Sequence, residues 1–151
     1  MQQKSFLSTK TYSHSQGLSC AFRQWRAESH CRFIHGYALK VELIFAGDLD
    51  HRNWVQDFGG LKAVKEFLTE TFDHTTVVAI DDPHLAEFKR LEQLGLIQLR
   101  IYDRVGCESF AEIIMDRVVA LGFDKLKSVR VWEHEGNSAI VMRKVRIDTK
   151  F

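Results

Sequence analysis

One proline, Pro83, stands in 151 residues, and the nine glycines form no run longer than the pair Gly59-Gly60. Collagen-like, linker-like and low-complexity chains are excluded by that composition. Cysteine is scarce too. Cys20, Cys31 and Cys107 are odd in number and widely spaced, which excludes a disulfide scaffold and points to a reduced, cytoplasmic compartment. The first residues, "MQQKSFLSTK", lack the apolar core of a secretory signal. Neither sign of charge dominates: 21 Lys+Arg against 20 Asp+Glu leave a formal charge of +1. No global field therefore recruits nucleic acid or an anionic membrane, although a local basic pocket for a small polyanion stays open. No apolar run approaches the roughly 18 residues of a membrane span. What is present is a 45% hydrophobic, 27% charged chain long enough for one core, expected as a single domain over 1–151.

Periodicity sets the order of elements. "SFLSTKTYSH" (5–14) favours an extended strand, and a polar connection is expected through "QGLSCAFRQWRAESHC". In "YALKVELIFAG", Leu39, Val41 and Leu43 alternate with Lys40 and Glu42, as in a half-buried strand closed by Gly47. Asp57 is the expected N-cap of a helix on which Phe58, Leu61, Val64, Leu68 and Phe72 recur at spacings of three and four. A second helix is expected with Asp82 as N-cap, Pro83 in its first turn, Leu85, Phe88 and Leu91 on one stripe, and Gly95 as its stop. "LIQLRIYD" reads as a short strand and Glu108–Phe123 as a third helix. "SVRVWEH" and "SAIVMRKVRI" read as a hairpin. The pattern is α+β: an antiparallel four-stranded sheet with helices on one face. Its helix-free face would expose apolar residues unless another subunit covered it, so an oligomer is expected.

Chemistry-bearing residues cluster in "SHCRFIHGY". Cys31, flanked by His30, Arg32 and His35, is either a reactive thiol or a packing cysteine. His35 and Tyr37, at i and i+2, leave one face of a strand, where two histidines would make a zinc pair; tyrosine is a poor ligand for that ion. Asp73-His74, at a helix end, is either an acid–base dyad or a pair satisfying helix carbonyls. Glu133 ends the apolar row of Val129 and Val131. A ring with two parallel N–H donors would satisfy its carboxylate, as would an arginine or plain exposure.

Taken in order, "CRFIHGY", "NWVQDFGGLK", "FDH", "GCESFAEII" and "VRVWEH" resemble the 6-pyruvoyltetrahydropterin synthase and 6-carboxytetrahydropterin synthase family. That family shows a cysteine four residues before His-Gly-His, then a DF..LK helix start, an Asp-His dyad, a Thr/Ser-x-Glu-like helix opening and a late strand ending in glutamate. The resemblance implies the tunnelling fold (T-fold), assembled as trimers into barrels and commonly as hexamers. It implies that Cys31 is catalytic, with Asp73 and His74 supplied by a neighbouring subunit, that Glu133 anchors a pterin and that Glu108 lies near the pterin pocket. It also implies a zinc ion held by three histidines, which grips the substrate's side-chain hydroxyls, and no organic cofactor. The reaction it implies is that of a carbon–oxygen lyase converting 7,8-dihydroneopterin triphosphate to 6-carboxytetrahydropterin on the route to queuosine.

The chain departs from the family at His35-Gly36-Tyr37, where His-Gly-His is the pattern. The remaining family histidine aligns with His14 in "TYSH" or with Phe22 in "SCAFR". His14 would leave two ligands with His35; Phe22 would leave His35 alone. Three expectations follow: a pterin synthase with an altered metal site, a paralogue that binds a pterin or purine without the parental step, or a zinc-free enzyme of the same fold cleaving dihydroneopterin as an aldolase does.

Overall fold

The computed structural model describes residues 2–144. Its spine is the long strand β3, His35–Gly47, whose Leu39, Val41, Leu43 and Phe45 are fully buried under the helices. Strand β1, Phe6–Tyr12, runs antiparallel along the C-terminal half of β3, from Phe6 opposite Gly47 to Tyr12 opposite Val41. On the other edge β6, Leu126–His134, pairs antiparallel with β3, and β7, Asn137–Met142, with β6. These are the four antiparallel strands that the sequence predicts, although residues 145–147 of the last expected strand lie outside the described residues.

The sheet is larger than four strands. The expected polar connection contains β2, Leu18–Phe22, antiparallel to the N-terminal half of β3. Strand β4, Thr75–Ala79, which the periodicity leaves unassigned, is parallel to β2, and β5, Leu99–Tyr102, is parallel to β4. All five residues of β4 are buried. An interior parallel strand is covered on both faces and shows no alternation, so "TTVVA" carries no period-two signal.

Helices α1, Lys62–Phe72, α2, Leu85–Gln93, and α3, Cys107–Ala120, supply the cover. Leu61, Val64, Leu68 and Phe72 are buried as the spacing predicts, but Phe58 is exposed. Asp57 caps a 3-10 turn, Phe58–Gly60, and not α1: its carboxylate accepts the Gly59 N–H at 2.9 Å. Asp82 is likewise no N-cap of α2. Its buried carboxylate accepts the His84 N–H at 2.8 Å and is gripped by both Arg23 Nε (2.8 Å) and Nη2 (2.7 Å).

The helix-free face is part polar and part apolar. Thr9 and Thr11 of β1, Lys40 and Glu42 of β3, and Ser128 and Arg130 of β6 line up across the strands. Lys40 Nζ, on β3 across from Trp132, and the Arg130 guanidinium, on the same strand as Trp132, lie 4.5 and 4.2 Å from the Trp132 ring centroid. Leu7 of β1 and Ile140 and Met142 of β7 expose apolar side chains on the same face, as the sequence predicts. Among the described residues no helix is long and apolar enough to cross a membrane.

Candidate active site

Strand direction gathers the chemistry at one end of the sheet. Because β2 runs against β3, its last residue, Phe22, pairs with the first residue of β3, His35. Strand β6 also runs against β3 and delivers Glu133 to the same end, where β7 begins with Asn137 and Ser138. Strand β5, parallel to β2 through β4, leads into α3 there. The carboxyl ends of β2, β5 and β6 thus meet the amino ends of β3 and β7. A cavity of about 210 Å³ is lined by Phe22, Gln24, Cys31, His35, Glu108 and Glu133, with Gly106 and Cys107 in its wall. A larger groove of about 340 Å³ lies beside α2, but Cys31, Glu108 and Glu133 line only the smaller space.

Each side chain has a local reason for its aim. Two β6 residues, Glu133 and His134, oppose Asn137 of β7, a bulge that turns the Glu133 carboxylate off the apolar row and into the cavity. The Asn137 amide donates to Glu133 Oε1 at 3.0 Å and holds the group in place. Glu108 lies in the first turn of α3, where the helix dipole favours a carboxylate. Ahead of it, Gly106 has φ +116°, and a Cβ there would stand 2.5 Å from Gln24 Nε2, which itself donates to the Val105 carbonyl at 2.9 Å. Only glycine fits that corner.

Cys31 rides on a 3-10 turn, His30–Arg32, half-exposed at the cavity. Its N–H donates to Ser29 Oγ at 3.3 Å and its carbonyl accepts the Gln24 N–H at 2.9 Å. Arg23 Nη1 donates to the Arg32 carbonyl at 3.2 Å, tying this turn to buried Asp82. His35 Nδ1 lies 2.7 Å from the Phe33 carbonyl. A carbonyl only accepts, so Nδ1 carries the proton and Nε2 of the neutral ring is an acceptor.

Cys107 was not singled out by the sequence. Its thiol is buried between the two carboxylates and is pushed up to about 12, by burial first and then by the charges of Glu133 and Glu108. It is a neutral wall of the cavity. The signal was its place immediately before Glu108 at a helix start.

Of the two candidates for a third ligand, the register puts Phe22 and not His14 beside His35. Phe22, opposite His35, lies 5.5 Å from His35 and 6.1 Å from Tyr37 between ring centroids, and His35 and Tyr37 are 5.3 Å apart. His14 is elsewhere: its Nδ1 bonds to the Ala38 carbonyl and its Nε2 lies 3.1 Å from Glu135 Oε1, and neither His14 nor Glu135 lines the cavity. Among the described residues no three His, Cys, Asp or Glu side chains converge in a metal-holding group. Phenylalanine offers no donor, and the Tyr37 phenol is held above its ordinary pKa by burial and by the nearby Glu133 charge. This donor set does not fit a three-histidine zinc. Gly36 stands between the two rings because a Cβ there would lie 2.8 Å from the Cys20 carbonyl oxygen of β2.

The expected dyad is apart from the cavity. His74 has φ +55°, donates its N–H to the Ser19 carbonyl at 2.7 Å, and places Nδ1 2.7 Å from Asp73 Oδ1. That puts Asp73 and exposed His74 at the start of β2 and β4, the opposite end from Phe22. Five residues of strand separate the two ends by about 13 Å, so the dyad does not reach Cys31 of its own chain.

Comparison with known proteins matches this arrangement to one family. The sequence model described as 6-pyruvoyl tetrahydropterin synthase matches residues 11–144. Two archaeal relatives are each named "Putative 6-carboxy-5,6,7,8-tetrahydropterin synthase". The one from Pyrococcus abyssi is 27% identical over 126 residues, 76% of this chain and 78% of its own. That from Pyrococcus horikoshii is 26% identical over 144 residues, 88% and 89%. Among solved structures, an uncharacterized protein from Wolinella succinogenes superposes with a TM-score of 0.77 at 23% identity, covering 94% of this chain and all of that one. The 6-pyruvoyl tetrahydropterin synthase of Plasmodium falciparum gives 0.67 at 17% identity, covering 95% and 100%. The fold is the tunnelling fold of these proteins, in agreement with the α+β order read from the sequence.

Proposed function

We propose, from the premise that this chain belongs to the 6-pyruvoyl tetrahydropterin synthase family, that its cavity binds a dihydropterin and that Cys31 moves protons on the bound ring. The activity is that of a 6-carboxytetrahydropterin synthase-like carbon–oxygen lyase, acting on 7,8-dihydroneopterin triphosphate or a related dihydropterin. One observation carries the reading: Cys31, His35, Glu108 and Glu133, from four separate elements, line a single cavity. Two carboxylates facing one small space repel each other, and a ring edge rich in N–H groups relieves both. Asn137 occupies Glu133 Oε1 and leaves Oε2 for such a donor. His35 Nε2 accepts from the ligand, and the Cys31 thiol stands at the same wall as donor or, once ionised, as base.

At about 210 Å³ the cavity is smaller than the roughly 300–1,000 Å³ usual for ligand sites. A second copy of the chain completes it, bringing Asp73 and His74 to Cys31 as the acid–base partner, within a trimer or hexamer. The free thiols suit a cytoplasmic setting. A second reading, ring binding without the parental reaction, is favoured by the donor-poor set of Phe22 and Tyr37 beside His35.

Pterin fluorescence titration tests the site. Glu133→Ala is expected to weaken binding at least about tenfold, the loss of one charge-assisted hydrogen bond. Cys31→Ala is expected to keep binding and abolish turnover. Affinity indifferent to Glu133→Ala would refute the pocket assignment; tight, Glu133-dependent binding without turnover by the intact protein selects the second reading.

A further inference from the structure

Two of the three rings at the start of β3 carry no good metal donor, yet the three keep the spacing of a metal site. Three imidazoles around one zinc, with Zn–N bonds of about 2.0–2.1 Å, put their ring centroids about 5 Å apart. Phe22, His35 and Tyr37 form a triangle with sides of 5.5, 6.1 and 5.3 Å. These are ordinary aromatic contacts. The His35–Tyr37 pair is edge-to-face at 87°, and Phe22 is fixed from behind by Phe110, edge-on at 5.1 Å and 85°. Phe22 also lines the cavity. A side chain of the ligand that points toward β3 therefore meets a phenyl ring and a single imidazole acceptor.

Building on the second reading above, ring binding without the parental reaction, we infer that aromatic contact replaces the ion: the cavity engages its heterocycle without a bound divalent cation and selects rings whose substituent is absent or apolar over rings bearing a polyol chain. Hydroxyls placed against Phe22 lose their water and gain no electrophile in return, whereas a methyl group gains burial. His35 Nε2 can satisfy only one of the donors on such a chain.

Two measurements on the intact protein decide this. Elemental analysis of protein purified without chelator or affinity tag is expected to find no stoichiometric zinc, iron or manganese. The Phe22→His/Tyr37→His variant, which rebuilds three imidazoles on the same triangle, is expected to take up about one zinc per chain. In titrations, 6-methylpterin is expected to bind the wild-type protein about tenfold more tightly than neopterin, a preference that shrinks in the zinc-loaded double variant. About one metal per chain in the wild type, lost in His35→Ala, would overturn the inference while leaving the heterocycle reading standing. Neopterin binding the metal-free protein as tightly as 6-methylpterin would overturn the substituent preference. If neither pterin binds, the cavity reading itself fails and the preference with it, whereas the metal half still stands on elemental analysis. Should the double variant not fold, Tyr37→Phe serves in its place: an aromatic wall predicts unchanged metal content and a retained preference, and loss of a bound metal would overturn it.

Discussion

Arg23→Met would cut a buried ion pair that ties the Cys31 turn to the rest of the fold. Asp82 exposes 1% of its side chain and Arg23 18%, and two of the guanidinium's N–H groups grip the carboxylate in a fork at 2.8 and 2.7 Å. A third reaches the Arg32 carbonyl, next to Cys31. In the variant a carboxylate stays buried with only the His84 N–H beside it, and breaking such a pair costs about 3–5 kcal/mol. Asp82→Ala should cost less, about 2–3 kcal/mol, because the freed guanidinium is long enough to turn toward water. Arg23→Met/Asp82→Leu removes both charges and should return to within about 1–2 kcal/mol of wild type. The pH dependence has opposite signs in the two backgrounds. In the wild type the Arg23 hydrogen bonds hold the Asp82 carboxyl below its ordinary value. That stabilisation is complete above the unfolded pKa of about 3.9 and fades as pH falls through the lower folded value. In Arg23→Met the unpaired, buried carboxyl has its folded pKa raised above the unfolded one, so the deficit is largest at neutral pH and shrinks in acid. Urea unfolding followed by circular dichroism at pH 7 and pH 4.5, at one fixed protein concentration, reads both effects. A penalty below about 1 kcal/mol, or one of equal size at the two pH values, would refute the reasoning.

Subunit exchange tests where the dyad acts. Cys31→Ala and His74→Ala should each be inactive alone, but mixed in equal amounts after reversible dissociation they should recover about a quarter of wild-type turnover, because random assembly reunites an intact Cys31 with a neighbour's intact His74 at that frequency. No recovery from mixtures that demonstrably co-assemble would place the dyad outside the site. Thiol labelling separates the three cysteines. Cys20 and Cys107 are both buried and pushed up to about 12, so at pH 8 only about one part in ten thousand of either is thiolate. Iodoacetamide should therefore modify Cys31 alone in the folded protein and all three in urea, read by mass spectrometry; early labelling of Cys107 would contradict its burial.

The legible part of the fold is the part written as periodicity. Strand β3 alternates because one of its faces is core and the other carries Lys40 and Glu42, and α1 shows its stripe because it covers a single face. Strand β4 is buried throughout and shows no alternation, and β2 alternates over only five residues; the partners of both come from distant segments, so no local window contains the pairing that makes "LSCAF" or "TTVVA" a strand. The site divides along the same line. Cys31, His35 and Glu133 are legible from residue type and spacing, Glu108 from the family resemblance alone, and the four meet in one cavity. For Cys107 the sequence offers only its place immediately before Glu108, which does not by itself distinguish a wall thiol from a packing one. The choice between His14 and Phe22 lay beyond spacing altogether: both precede Cys31 by a plausible interval, and only the pairing of Phe22 with His35 across β2 and β3 decides between them. The register thus puts a phenyl ring, and not His14, beside His35, and Gly36 suits that pairing because a Cβ there would lie 2.8 Å from the Cys20 carbonyl oxygen.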